Sequence, residues 1–170
     1  PISSVVHWAV FVLFSLSTFV TVLISVNITD FGPVEAQSSI YGPQISITCP
    51  SGAITINPGT NNIQSVVNYY PGNTVFCLKP GIFTITTPIT PKSGNTFIGE
   101  YGAILDGSSW TTSDGSLGAF RSWNQDIDNV TIRNLVIRKM PQKGISALEN
   151  MTDYWTIDHN EISNNLVGLN

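Results

Sequence analysis

Apolar residues recur in three different rhythms along this chain. Between Val5 and Ile28 no charged residue interrupts a run that includes Trp8-Ala9-Val10-Phe11-Val12-Leu13-Phe14 and Phe19-Val20-Thr21-Val22-Leu23-Ile24. As a helix this run would extend about 36 Å, enough to cross a bilayer core. Further on, Ile63, Val66, Val67 and Tyr70 fall at helical spacing, which predicts one amphipathic helix over residues 61–70. Thr60 or Asn61 is placed to cap it, and Pro71-Gly72 to stop it. From there the pattern shortens to strands and turns, with strands predicted at 74–78, 82–86, 96–99, 103–105 and 130–138.

The third rhythm is a repeat. Val130-Thr131-Ile132-Arg133-Asn134-Leu135-Val136-Ile137 aligns with Trp155-Thr156-Ile157-Asp158-His159-Asn160-Glu161-Ile162, so that position 130 is answered by 155 and position 137 by 162. Gly144-Ile145 returns as Gly168-Leu169, one position short of the same offset. Within each unit two Ile residues lie five apart, and a straight strand would put them on opposite faces. Both can be buried only if the chain turns a corner between them. Asn134 and the pair His159-Asn160 occupy that position, and Asn tolerates the left-handed backbone of a tight corner. Val130, Ile132, Ile137, Ile157 and Ile162 should then stack in ladders inside a parallel β-solenoid.

With 170 residues the chain has room for one sizeable domain. Charged side chains make up only 11%, with a net charge of -4, so no basic face exists to hold nucleic acid. A hydrophobic share of 42% is enough to build a core, which argues against disorder. The apolar run reads as a signal-anchor helix or a long signal peptide, or else as a helix buried in the globular core. Val34-Glu35-Ala36 before Gln37 has the small-residue spacing of a cleavage site. The expected organisation is a leader and its flank over 1–36, a Gly/Pro/Ser-punctuated linker over 37–48, and the β domain over 49–170. On the leader readings the product is secreted or on the cell surface, with membrane contact through Val5 to Ile28 if the leader is retained. In an exported chain the only two cysteines, Cys49 and Cys77, read first as a disulfide and otherwise as two buried thiols.

Several segments resemble the right-handed parallel β-helix proteins of the pectin lyase-like superfamily. Ile63-Gln64-Ser65-Val66-Val67-Asn68 and the stretch from Gly72 to Phe83 are similar to that family's N-terminal capping helix, first strand and turn. Asn95-Thr96-Phe97-Ile98-Gly99-Glu100 with Ala103-Ile104-Leu105-Asp106-Gly107 resembles its next rung. The units at 130–137 and 155–162 resemble typical rungs. The likeness spans roughly 49–170 apart from an insert near 108–125, expected to loop out. It implies an all-β, right-handed parallel solenoid capped by a short helix. The superfamily holds polysaccharide lyases, glycoside hydrolases, epimerases and non-catalytic surface proteins, so fold alone names no reaction.

Candidate chemistry sits in few places. Trp155-Thr156-Ile157-Asp158-His159-Asn160-Glu161 is similar to a segment of the pectate lyases, which cleave galacturonan by β-elimination with calcium and an arginine base. The resemblance makes Asp158, His159 and Glu161 the catalytic candidates. It also raises calcium as a cofactor, yet Lys143-Gly144-Ile145 stands where those lyases carry acidic ligands. A calcium ion wants six or more oxygens, and Asp158 with Glu161 falls short. The residues alone therefore call for no metal or cofactor, and a structural corner is the competing role for Asp158. Trp110 and Trp123 are candidates for stacking on a sugar ring, or for packing the insert onto the coil wall. Asn27-Ile28-Thr29, Asn129-Val130-Thr131 and Asn150-Met151-Thr152 match the glycosylation sequon. The expected role is a polysaccharide-related one, binding or processing, with catalysis not assigned to these residues. The alternative is a lyase, hydrolase or epimerase whose active site lies mostly beyond residue 170.

Overall fold

The computed structural model describes residues 44–111, 118–122, 125–147 and 152–169. The leader, residues 37–43 of the linker and Trp123 lie outside them. Among the described residues no helix is long and apolar enough to cross a membrane.

The chain coils through about four turns, and all strand pairing is parallel. The first sheet stacks β1 (Ile54–Ile56), β2 (Val75–Leu78), β4 (Thr96–Gly99), β7 (Thr131–Arg133) and β10 (Thr156–Asp158). The second stacks β3 (Gly81–Thr84), β5 (Ala103–Asp106), β8 (Val136–Arg138) and β11 (Glu161–Ser163). The third stacks β6 (Gly118–Arg121), β9 (Lys143–Ser146) and β12 (Val167–Leu169). A rung thus runs through three walls and returns beneath itself.

Register brings like residues together. Ile54, Phe76, Phe97, Ile132 and Ile157 form one interior column of the first sheet. Phe83, Leu105, Ile137 and Ile162 form the column of the second, and Phe120, Ile145 and Leu169 that of the third. Phe76 and Phe97 stack with ring centroids 5.1 Å apart, and Phe97 meets Phe120 edge-on across the interior at 4.9 Å. The predicted pairing of Ile132 with Ile157 is therefore present, as is the slightly shorter step from β9 to β12, where Ile145 pairs with Leu169.

Corners make this possible. Asn129 and Tyr154, Asn134 and His159, and Lys139 and Asn164 are three pairs, each spanning one repeat, and all six residues have positive φ between 52° and 61°. Each pair turns the chain at one edge of the coil. The residue after the left-handed one can then clamp the neighbouring rung. Asn160 donates to the Ile132 carbonyl at 2.7 Å and accepts from the Leu135 N–H at 2.9 Å. Asn165 does the same for Ile137 and Met140. The predicted break between the two Ile of each unit falls where β7 gives way to β8, so residues 130–138 form two strands and not one.

Helix α1 (Asn62–Tyr69) closes the N-terminal end, burying Ile63 and Val67 fully and Val66 and Tyr70 in part. Covering that end shields strand edges and apolar interior from solvent and from other chains. No side chain caps the helix, contrary to expectation. Asn61 is left-handed, and its amide binds Thr86 instead, accepting from the Thr86 N–H at 2.8 Å and donating to its hydroxyl at 2.6 Å.

Two expectations need correction. β6 lies within the stretch assigned to an insert, and its Ala119 and Phe120 are completely buried. Polar, glycine-rich neighbours hid this strand in the sequence. Part of the linker is also structured. Gln44 donates to the Ala103 and Asn134 carbonyls, at 3.2 and 2.7 Å, and accepts from the Gly102 N–H at 3.1 Å. Ile45 exchanges two hydrogen bonds with the Asn134 amide. Residues 44–49 are thus a strap across the corner between the first two sheets, and the Cys49–Cys77 disulfide fixes its far end, with Cα atoms 5.8 Å apart.

Candidate functional site

The outer face of the first sheet carries two columns set by strand alternation. Thr96, Thr131 and Thr156 form one, and Ile98, Arg133 and Asp158 the other. The register of the repeat sets Arg133 directly beside Asp158, with Nε 3.1 Å from Oδ2 and both side chains about 40% exposed. The other oxygen of Asp158 contacts Nδ1 of His159, which turns the corner at φ 52°. Glu161 opens the second sheet beyond that corner, and its Oε1 accepts from the Ser163 hydroxyl at 2.8 Å. Asp158 and His159 are brought together; Glu161 stands on a different wall.

On the second sheet, Asp106 and Arg138 pair across adjacent rungs at 2.7 Å with side chains only 8% and 14% exposed. Burial works to raise the Asp106 carboxyl. Hydrogen bonds from Ser108, side chain and backbone, and the Arg138 guanidinium outweigh it, so the group lies below its ordinary value. This pair escaped the sequence reading because its two members stand further apart in the chain than one visible repeat. Arg133 was legible, since the same alignment that defines the repeat sets it opposite Asp158.

Trp110 is 5% exposed and belongs to the core, so its ring is not offered to a sugar. Trp123 lies outside the described residues. Among the described residues, the one group of potential metal ligands close enough to share an ion is Cys49, Cys77 and Glu100. Its two sulfurs are joined to each other, and Glu100 binds Lys79 at 2.6 Å. Thiolates, not disulfides, are the sulfur ligands of metals, so this group does not fit an ion.

At the N-terminal end a cleft of about 360 Å³ opens between residues 50–54 and 71–75, with Tyr70 on its wall. Ser51, Asn73 and Thr74 supply neutral polar groups, and no charged side chain lines it. Tyr69 beside it is 83% exposed and meets Tyr70 edge-on at 5.1 Å. An aromatic wall beside neutral donors and acceptors suits a polyol such as a sugar ring. Sequence reading missed this cleft, because it joins separate segments on two successive rungs.

No protein-family model, curated protein or solved structure matches this chain.

Proposed function

We propose that the chain is part of an exported, right-handed β-helix protein of the pectin lyase-like kind, and that its rungs bind polysaccharide without cleaving it. Parallel strands joined by crossovers take the right hand in nearly all known sheets, which supports the handedness. The disulfide is consistent with an oxidising compartment outside the cytoplasm, in keeping with secretion or with anchoring through Val5 to Ile28.

One observation carries the choice of binding over chemistry: the two aspartates on the strands of the first two sheets are each paired with an arginine of the adjacent rung. Asp158 faces Arg133, Asp106 faces Arg138, and Glu161 lies beside Val136. Hydrolysis of a glycosidic bond usually requires two carboxyl groups a few ångströms apart across the bond, and a calcium-dependent lyase requires several acidic oxygens on one cation. Asp158 and Asp106 are each held by an arginine instead, and among the described residues the one cluster of potential metal ligands is Cys49, Cys77 and Glu100. The uncharged cleft beside Tyr70 favours neutral sugars over uronates.

Electrophoresis of the purified protein through gels containing individual polysaccharides tests this directly. Retardation by a neutral polysaccharide, weakened by Tyr70→Leu and accompanied by no released oligosaccharide, is the expected result. Calcium-dependent release of unsaturated uronides from polygalacturonate, lost on Asp158→Ala, would instead establish a lyase. Unretarded migration in every gel would end the binding proposal.

A further inference from the structure

We propose that Asn129 is an attachment site for an N-linked glycan, standing at the edge between the third and first sheets. The inference rests on the export reading above, and goes beyond it by naming a modified atom, the Asn129 Nδ2.

Asn side chains at or beside the corners of this coil are mostly committed to holding rungs together. Asn61, Asn95, Asn134, Asn160 and Asn165 each both donate and accept through their amides, to groups that include neighbouring rungs. Asn129 differs. It is exposed, and its side-chain amide makes no hydrogen bond among the described residues; only its backbone N–H is engaged, to the Asp153 carbonyl at 3.0 Å.

The fold has no use for that amide. Backbone bonds of the same type join Asn73 to Ser93, Gly94 to Asp128 and Asn129 to Asp153, so these residues occupy one corner column. With Tyr154, one repeat after Asn129, the column reads Asn73, Gly94, Asn129, Tyr154, all with φ between 57° and 74°. What the column demands is a left-handed backbone, which Gly meets with no side chain at all.

The rest of the acceptor triplet is equally available. Val130 is buried inside the coil, while Thr131 points outward on β7, partly exposed, with its hydroxyl unbonded among the described residues. A hydroxyl two residues after the Asn is what the sequon requires. A glycan here would project from an edge of the coil, in the same corner column as Asn73 at the cleft. Of the other two sequons, Asn27 and Asn150 lie outside the described residues.

The transfer would be made by an oligosaccharyltransferase from a lipid-phosphate-linked oligosaccharide. Nδ2 attacks the anomeric carbon of the first sugar, forming the N–C bond. The bond from that carbon to the phosphate oxygen breaks, its electron pair leaves with the lipid phosphate, and the amide gives up one proton to the transferase.

The test is translation of the full chain, with an initiating Met, in the presence of eukaryotic microsomes. Protease protection reports entry separately from modification, and a second version behind a cleavable signal peptide enters whatever the native leader does. The protected chain should carry a glycan at Asn129, located by amidase treatment and peptide mass. Thr131→Ala and Asn129→Asp should each remove one glycan, the latter keeping a residue that tolerates the corner, and Thr131→Ser should restore it. Failure of the native chain to enter would overturn the export reading alone. An unmodified Asn129 in the protected chain of either version would overturn this proposal.

Discussion

Asn134 is the residue whose removal should damage the coil most for its size. It is fully buried with φ at 60°, and its amide serves two neighbours at once. Nδ2 donates to the Gly99 carbonyl on the adjacent rung at 2.7 Å and to the Ile45 carbonyl of the strap at 2.9 Å. Oδ1 accepts from the Ile45 N–H at 2.7 Å. Asn134→Ala removes all three bonds. The two strap bonds contribute about 1 kcal/mol each, since water can replace the amide once the strap lifts. The Gly99 carbonyl, still covered by the rung, loses about 1–2 kcal/mol. An Ala side chain in a left-handed corner adds about 1 kcal/mol. The total is about 4 kcal/mol, a large fraction of the about 5–15 kcal/mol that holds a typical domain together. Asn134→Gly removes the same bonds but relieves the corner, so it should recover about 1 kcal/mol relative to Ala. Urea denaturation of the three proteins measures both differences, and hydrogen exchange at residues 44–48 reports the strap. A loss below about 1 kcal/mol for Ala, or a Gly variant no more stable than Ala, would refute this account of the corner.

Replacing both Cys49 and Cys77 with Ser should destabilise the chain by about 3 kcal/mol, because the bond closes a loop across 28 residues; an unchanged urea midpoint would show that the strap hydrogen bonds alone fix that end. Asp106 should make stability depend on acid. Its folded value is lowered, so its contribution is complete above the ordinary carboxylate range and is lost as pH falls through the lowered folded value. Asp106→Asn should remove that part of the pH dependence and cost about 3 kcal/mol at neutral pH by leaving Arg138 buried without its carboxylate; parallel stability–pH curves for the two proteins would refute the assignment.

How much of this was legible in the sequence depended on whether rungs kept one length. Down the interior column of the first sheet, the step from Phe76 to Phe97 is shorter than the repeat and the step from Phe97 to Ile132 is much longer. Only the last step, from Ile132 to Ile157, recurs through a whole rung, with residues 129, 134 and 139 each answered one repeat later by another left-handed corner. There the odd spacing of the two Ile revealed a corner, a solenoid and the position of Arg133 beside Asp158. Where extra residues enter between strands, the offset changes and the signal disappears. The pairing of Asp106 with Arg138 went unseen for that reason, whereas β6, which keeps the repeat's offset to β9, was hidden by its polar, glycine-rich neighbours. β1 was missed because three residues are too short to show alternation. Asn61 shows a different limit. An Asn before a helix is a good cap, but here a partner on the next rung, Thr86, engages its amide.

The charged residues show what a solenoid does to candidate chemistry. In a coil of nearly constant register, a residue's nearest neighbour is set by the rung beneath it and not by its place in a motif. Asp158-His159-Asn160-Glu161 reads as a cluster of three functional groups in a line. The corner at His159 sends Asp158 to one wall and Glu161 to the next, so proximity in sequence becomes separation in space. Arg133, one repeat away, becomes the partner instead, and Asn160 is turned to clamp Ile132 and Leu135. A catalytic wall of the same fold would need acidic residues one repeat apart, column above column. The described rungs place Arg, Ile and Thr in those positions on the first sheet. Moving an acid into the column, as in Arg133→Asp beside Asp158, would set two carboxylates against each other in place of an ion pair. Like charges at that distance raise the affinity of the site for a proton or a cation, whereas on this wall the natural Arg133 pairs with Asp158 instead.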